Sequence, residues 1–127
     1  MRIVTLAAAL ALLAATAAQA ALHPKYYEEA RRNAPHVVVI QVRKMVAPAG
    51  SLGQCRMHGA VTAVERGARY RLGQAIVVAV PCVAPGAHPP SSGVLYQEQQ
   101  VLKRSRTGRA FLLESGELAL YQYEVLS

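Results

Sequence analysis

Apolar and polar residues alternate along most of this chain with a period of two, the spacing of strands, and a single short stretch keeps a helical period. His36 to Val46 (HVVVIQVRKMV) opens on a run of β-branched residues and reads as a strand. Val38, Ile40 and Val42 fall on one face, with Val37, Val39, Gln41 and Arg43 on the other. Its first half is therefore expected to be buried on both sides. Gln54 to Glu65 reads as a second strand with Cys55, Met57, Val61 and Ala63 on one face. Gly59 in its middle predicts a bulge or a sharp bend. Arg66-Gly67-Ala68 reads as a hairpin connection, and Arg69 to Cys82 as the third strand, which Gly73-Gln74 interrupts. Ile76, Val78, Val80 and Cys82 share one of its faces.

Residues 83–93 (VAPGAHPPSSG) carry three prolines and two glycines, and read as a long surface loop. The stretch from Val94 to Leu102 supports two readings. Leu95, Gln99 and Leu102 suit a helical turn, whereas Val94, Tyr96 and Glu98 alternate as in a strand. Arg109 to Glu114 and Leu118 to Val125 form the clearest hairpin, turned at Ser115-Gly116, with Tyr121 and Tyr123 on one face of the last strand. The helical stretch is Pro24 to Arg32, which begins on a proline suited to a first turn and stops before Pro35. Glu28 and Glu29 precede Arg31 and Arg32 at spacings that permit i,i+3 pairs. So short a helix is not stable alone. It is expected to dock through Tyr26, Tyr27 and Ala30.

The N-terminal segment changes the picture. Of the first 20 residues, 16 are apolar and one, Arg2, is charged. Arg2, the apolar run from Ile3 to Ala15 and the Ala18-Gln19-Ala20 site read as a cleaved secretory signal peptide, with the mature chain beginning at Ala21. The residue after the cut is not cysteine, so no lipid anchor is indicated. The alanine-rich style matches bacteria with GC-rich genomes and points to the periplasm, or to secretion. No apolar run of 18 residues follows, so no membrane span is expected in the mature chain.

The whole chain of 127 residues has a net charge of +7, and Arg2 accounts for one of those cations. This length excludes a multi-domain enzyme, a Rossmann fold or a TIM barrel and allows one modest core. Cys55 and Cys82 are the two cysteines, and in an oxidising compartment they are expected to form one disulfide. The expectation is an all-β fold: a small five-stranded OB-like barrel at 36–127, with an N-terminal helical segment at 21–35, after the signal at 1–20.

Val61 to Cys82 (VTAVERGARYRLGQAIVVAVPC) resembles the core hairpin of netrin-like OB-fold modules, the class that includes tissue inhibitors of metalloproteinases. The matching residues are Val61, Val64, Gly67, Gly73, Ile76, Val78 and Cys82. Gly108-Arg109-Ala110-Phe111-Leu112-Leu113, followed by Gly116-Glu117-Leu118, is similar to the closing strand and hairpin of the same modules. The resemblance covers about half the mature chain and implies a fold, not an activity. Those inhibitors chelate zinc through an N-terminal cysteine, whereas this mature chain would start Ala21-Leu22-His23, so that mechanism does not carry over.

Candidate chemistry is sparse. All seven acids are glutamate, no G-x-S-x-G occurs, and no glycine-rich phosphate loop is present. A non-catalytic protein with no resident cofactor is expected. The sharpest alternative is copper or nickel handling. A free amine at Ala21, the amides of Leu22 and His23 and the His23 imidazole can form a square-planar four-nitrogen site for Cu(II) or Ni(II). Met45, Met57 and His58 could offer softer ligands, but adjacent strand residues point to opposite faces. The broadest signal is basic: Lys103, Arg104, Arg106 and Arg109 lie within seven residues, and Arg66, Arg69 and Arg71 cluster at another turn.

Export argues against nucleic acid and for an envelope protein or an anionic envelope component as partner. The sequence thus predicts a small exported binding or adaptor module. Arg104, Arg106 and Arg109 would be its electrostatic contacts, and Tyr121 and Tyr123 its anchors. Inhibition of an exported hydrolase is a further alternative, carried by the resemblance alone.

Overall fold

The computed structural model describes residues 22–127. The expected signal segment at 1–20 and Ala21 lie outside the described residues. Helix α1 (Pro24–Asn33) is followed by strands β1 (His36–Val46), β2 (Leu52–Arg66) and β3 (Ala75–Val83). After a long loop come β4 (Gln97–Glu98), the short helix α2 (Gln99–Arg104), β5 (Thr107–Leu112) and β6 (Leu118–Val125). The strands form one sheet in the order β4-β3-β2-β1-β5-β6, curled into a half-barrel. Every neighbouring pair is antiparallel except β3 and β4.

The sheet has six strands rather than the expected five. The extra one is the two-residue pairing of Gln97 and Glu98 with Cys82 and Val83. Both periodic readings of 94–102 hold in part: a parallel bridge first, then one helical turn that buries Leu102 in the core. A parallel partner is set by where the loop delivers the chain, which no local alternation reports.

β1 is central. Its first half pairs with β2 on one side and β5 on the other. Val38 and Ile40 face the main core, which also holds Cys55, Met57, Val61, Val78, Val80 and Leu112. Val37 points the other way, into a small cluster with Ala34, Phe111 and Ala119 under α1. Two layers of cover thus account for the run of consecutive valines.

Curvature comes from bulges. The β1–β2 register skips Glu65 and Thr62 on β2 and Arg43 on β1. The last skip lies opposite Gly59, where a Cβ would run into the Gln41 carbonyl, so the mid-strand glycine marks the bend as expected. The β2–β3 connection is longer than the predicted tight turn. Residues 67–74 form a loop, and β3 begins only at Ala75. Val61 exchanges backbone hydrogen bonds with Gln74 and Gly73, which seats the loop and interrupts the third strand where Gly73-Gln74 predicted.

Helix α1 runs one residue beyond its predicted end and makes different contacts. Arg31 turns away from the helix glutamates, donating 2.7 Å to Gln122 Oε1 and pairing at 3.1 Å with Glu124, with its guanidinium over the Phe111 ring. Tyr27 donates to the Gly93 carbonyl and Ala30 packs on the small cluster, but Tyr26 is exposed. One nitrogen of Arg66, Nη1, donates to the Arg31, Arg32 and Ala34 carbonyls at 2.8, 3.1 and 2.9 Å. This strand arginine caps the helix C-terminus, where unpaired carbonyls and the helix dipole favour a cation.

Candidate functional site

The register of the first three strands builds a surface that the sequence pattern leaves unassembled. Lys44 pairs with His58, and His58 with Val77; Val46 pairs with Arg56, and Arg56 with Ala79; Gln54 pairs with Pro81. These positions alternate with Met45, Cys55, Met57, Val78 and Val80, which fill the core. They therefore share the outward face of the sheet, on which Pro81 alone is covered over. Lys44, Val46, Arg56, Val77 and Ala79 are all exposed, Val77 by half. Arg43, pushed out of register by its bulge, joins the same side of the barrel in the hollow beside Lys44 and His58.

Two shallow hollows adjoin at Val77 on this face. One, of about 390 Å³, is lined by Arg43, Lys44, His58, Gly59 and Val77. The other, of about 480 Å³, lies between Val77, Ala79 and Pro81 on one side and Glu117, Leu118 and Tyr121 on the other. Val77 belongs to both, so they form a trough with one cationic end and one apolar end. The far wall exists because β6 breaks its alternation. Leu120 and Tyr121 take φ of 46° and 62°, and four residues, 119–122, stand opposite Phe111 between the ladder pairs Leu112–Leu118 and Ala110–Tyr123. Among the described residues, Arg43, Lys44 and Arg56 make no ion pair.

The five residues expected to contact a partner are not brought together. Tyr121 lines the apolar end of the trough. Tyr123 does not share its face: the irregular 119–122 segment sends the Tyr123 ring into the core, 4% exposed, against Gly108. Its hydroxyl has no hydrogen-bond partner, and burial pushes its pKa up to about 12. Arg109 is held by Glu65 at 2.5 Å and Glu124 at 3.1 Å. The Arg109 hydrogen bond holds the Glu65 carboxyl below its usual range, against the opposing effect of burial. Arg109 thus ties β5 to β2 and β6. Arg104 and Arg106 are exposed. Arg104 sits beside a separate groove with Val101 and Val125, and the Arg106 carbonyl accepts a hydrogen bond from Val42 N–H, one residue from Arg43.

Cys55 and Cys82 form the expected disulfide, with Cα atoms 5.8 Å apart and both side chains buried in the core. They lie on a diagonal, because Cys55 is opposite Val80 and Cys82 opposite Gly53. Of the predicted metal set, Ala21 lies outside the described residues. His23 caps α1: its Nδ1 accepts from the Lys25 N–H at 3.2 Å. A square-planar site on the amides of residues 22 and 23 would draw on that same nitrogen, so metal binding there would uncap the helix. Met57 is core and His58 lies on the outer face, so they do not converge. No group of three metal-ligating side chains occurs among the described residues. His36 is buried, with Nε2 3.0 Å from Glu114 Oε2 and its ring edge-on to Tyr70, and it joins the start of β1 to the β5–β6 turn.

The sequence reading passed over Lys44, Arg56, Val77 and Ala79. One signal is present: β3 (AIVVAVPCV) carries apolar residues at both parities, although over its first half, to Ala79, only one face is buried. Among the described residues no helix is long and apolar enough to cross a membrane. Comparison with protein-family models, with curated proteins and with solved structures finds no match.

Proposed function

We propose that this chain is a small exported, non-catalytic binding or adaptor module that meets an envelope partner through the outer face of β1, β2 and β3. The trough carries the reading: Arg43 and Lys44, which make no ion pair, line one end, Arg56 stands opposite Ala79, and exposed Val77 and Ala79 lead to half-buried Tyr121. Arg66 on α1, Arg109 on two glutamates and His36 on Glu114 are engaged in holding elements together, whereas Arg104 and Arg106 stay exposed, Arg104 beside a separate groove. The buried disulfide supports an oxidising compartment, and with it the signal peptide reading of residues 1–20. The strand path supports an OB-like barrel. A three-strand meander is followed by a helical turn and a hairpin that returns to β1, and the last strand faces β3 without a ladder.

The reading predicts salt-sensitive capture. Tagged protein, cross-linked briefly in its own envelope and identified by mass spectrometry, should retain a partner set. Lys44→Glu with Arg56→Glu should abolish that set while leaving the thermal transition in place. An unchanged set with the double variant refutes this face as the contact surface.

A further inference from the structure

Resting on that reading, we infer that the trough accepts an extended acidic segment of a protein partner. Its apolar side chain would seat between Val77, Ala79 and Tyr121, and its carboxylates would reach Lys44, Arg43 and Arg56. The charge complement is direct, because these three cations have no acidic neighbour among the described ion pairs. The apolar half selects among anionic partners. Val77, Ala79, Pro81 and Leu118 supply no side-chain hydrogen-bond donor, and the polar groups lining the same hollow are neutral (Gln54, Ser115, Tyr121) or acidic (Glu117), so a uniformly polyanionic glycan would find no cation among them.

An extended peptide presents alternating side chains at the pitch of the sheet beneath it. Ala79 stands directly opposite Arg56, roughly 5 Å away, and Val77 lies two strands, roughly 10 Å, from Lys44 along the row through His58. The apolar anchor and the first carboxylate of the ligand should therefore be separated by about one to three extended residues. Glu117, on the far wall at the apolar end, sets the polarity by repelling a carboxylate placed there.

Selection from a random dodecapeptide display library against the oxidised protein tests this. The expected winners carry two or more acidic residues at that spacing from a bulky apolar residue. Synthetic winners should lose about tenfold or more in affinity against Lys44→Glu/Arg56→Glu and against Tyr121→Ala, each checked for an unchanged thermal transition. Neutral or basic winners, no winners, or winners indifferent to these substitutions overturn the inference. Co-sedimentation with phosphatidylglycerol vesicles separates its failure from failure of the broader reading. Vesicle binding that needs Lys44 and Arg56, with no peptide selected, refutes the peptide and retains the face. Indifference of vesicles, peptides and captured partners alike refutes both.

Discussion

Reducing the Cys55–Cys82 bridge should remove about 3–4 kcal/mol of stability. The two cysteines are 27 residues apart, and closing a loop of that length constrains the unfolded chain by about this amount in the chain-entropy model. The native state adds a second consequence. Both side chains are buried beside Met57 and Val80, so the reduced protein must keep two thiols in the core. Thiols pack as small hydrophobes, so this costs little. Replacing both with alanine is different, because it also leaves two cavities, adding about 1 kcal/mol or more.

The ordering of stability should therefore be oxidised, then reduced, then Cys55→Ala/Cys82→Ala. The bridge clamps the open end of the β2–β3 hairpin, where the chain leaves for β1 and for β4. Loss of the clamp should appear first as faster amide exchange at Leu52 to Gln54. Urea unfolding followed by circular dichroism, with and without a phosphine reductant, measures the difference. The urea m-value should also rise on reduction, because the unfolded chain is freed to expand. A difference below about 1 kcal/mol with an unchanged m-value would refute the argument, since it would mean that the reduced unfolded chain already holds the hairpin closed.

Two further outcomes follow from buried and paired groups. Tyr123→Phe removes a hydroxyl with no partner in the core, so stability should be unchanged or rise by up to about 1 kcal/mol; a loss above that would show a hydrogen bond to the phenol. With its pKa raised to about 12, Tyr123 contributes stability that is complete below the ordinary tyrosine range and is lost as pH climbs from about 10 towards 12. The phenylalanine variant should lack that alkaline fall in melting temperature. Glu65 runs the other way: its carboxyl is held low by Arg109, so its contribution is present above the usual carboxylate range and disappears as pH falls through the lowered value. Arg109→Met should flatten the acid limb of a melting-temperature profile below about pH 4, and an unaltered limb would show that solvent screens the pair completely.

Much of the fold was legible because alternation is local. Val38, Ile40, Val78 and Val80 announce an inward face, Gly59 a bend, Ser115-Gly116 a turn, and two lone cysteines a bridge. The same pattern misjudged Tyr123. Period-two counting from Tyr121 assumes a regular strand, and two consecutive residues at positive φ break it. Arg109 was read as a free cation because its partners, Glu65 and Glu124, are distant in sequence or across a hairpin.

By itself, then, the sequence determined the five longer strands to within a few residues, most of their inward positions and the excess of positive charge, each of which depends on the residue and its near neighbours, and, from there being two cysteines, their pairing. Register decided the rest. A one-residue skip at Arg43 and two on β2 choose which outward side chains become neighbours across strands. Lys44, Arg56, Val77 and Ala79 acquire a common surface only once β1, β2 and β3 are aligned, and Tyr121 faces them only because β6 departs from its ladder. A site assembled from four strands is a property of their alignment, and no window of the chain carries it.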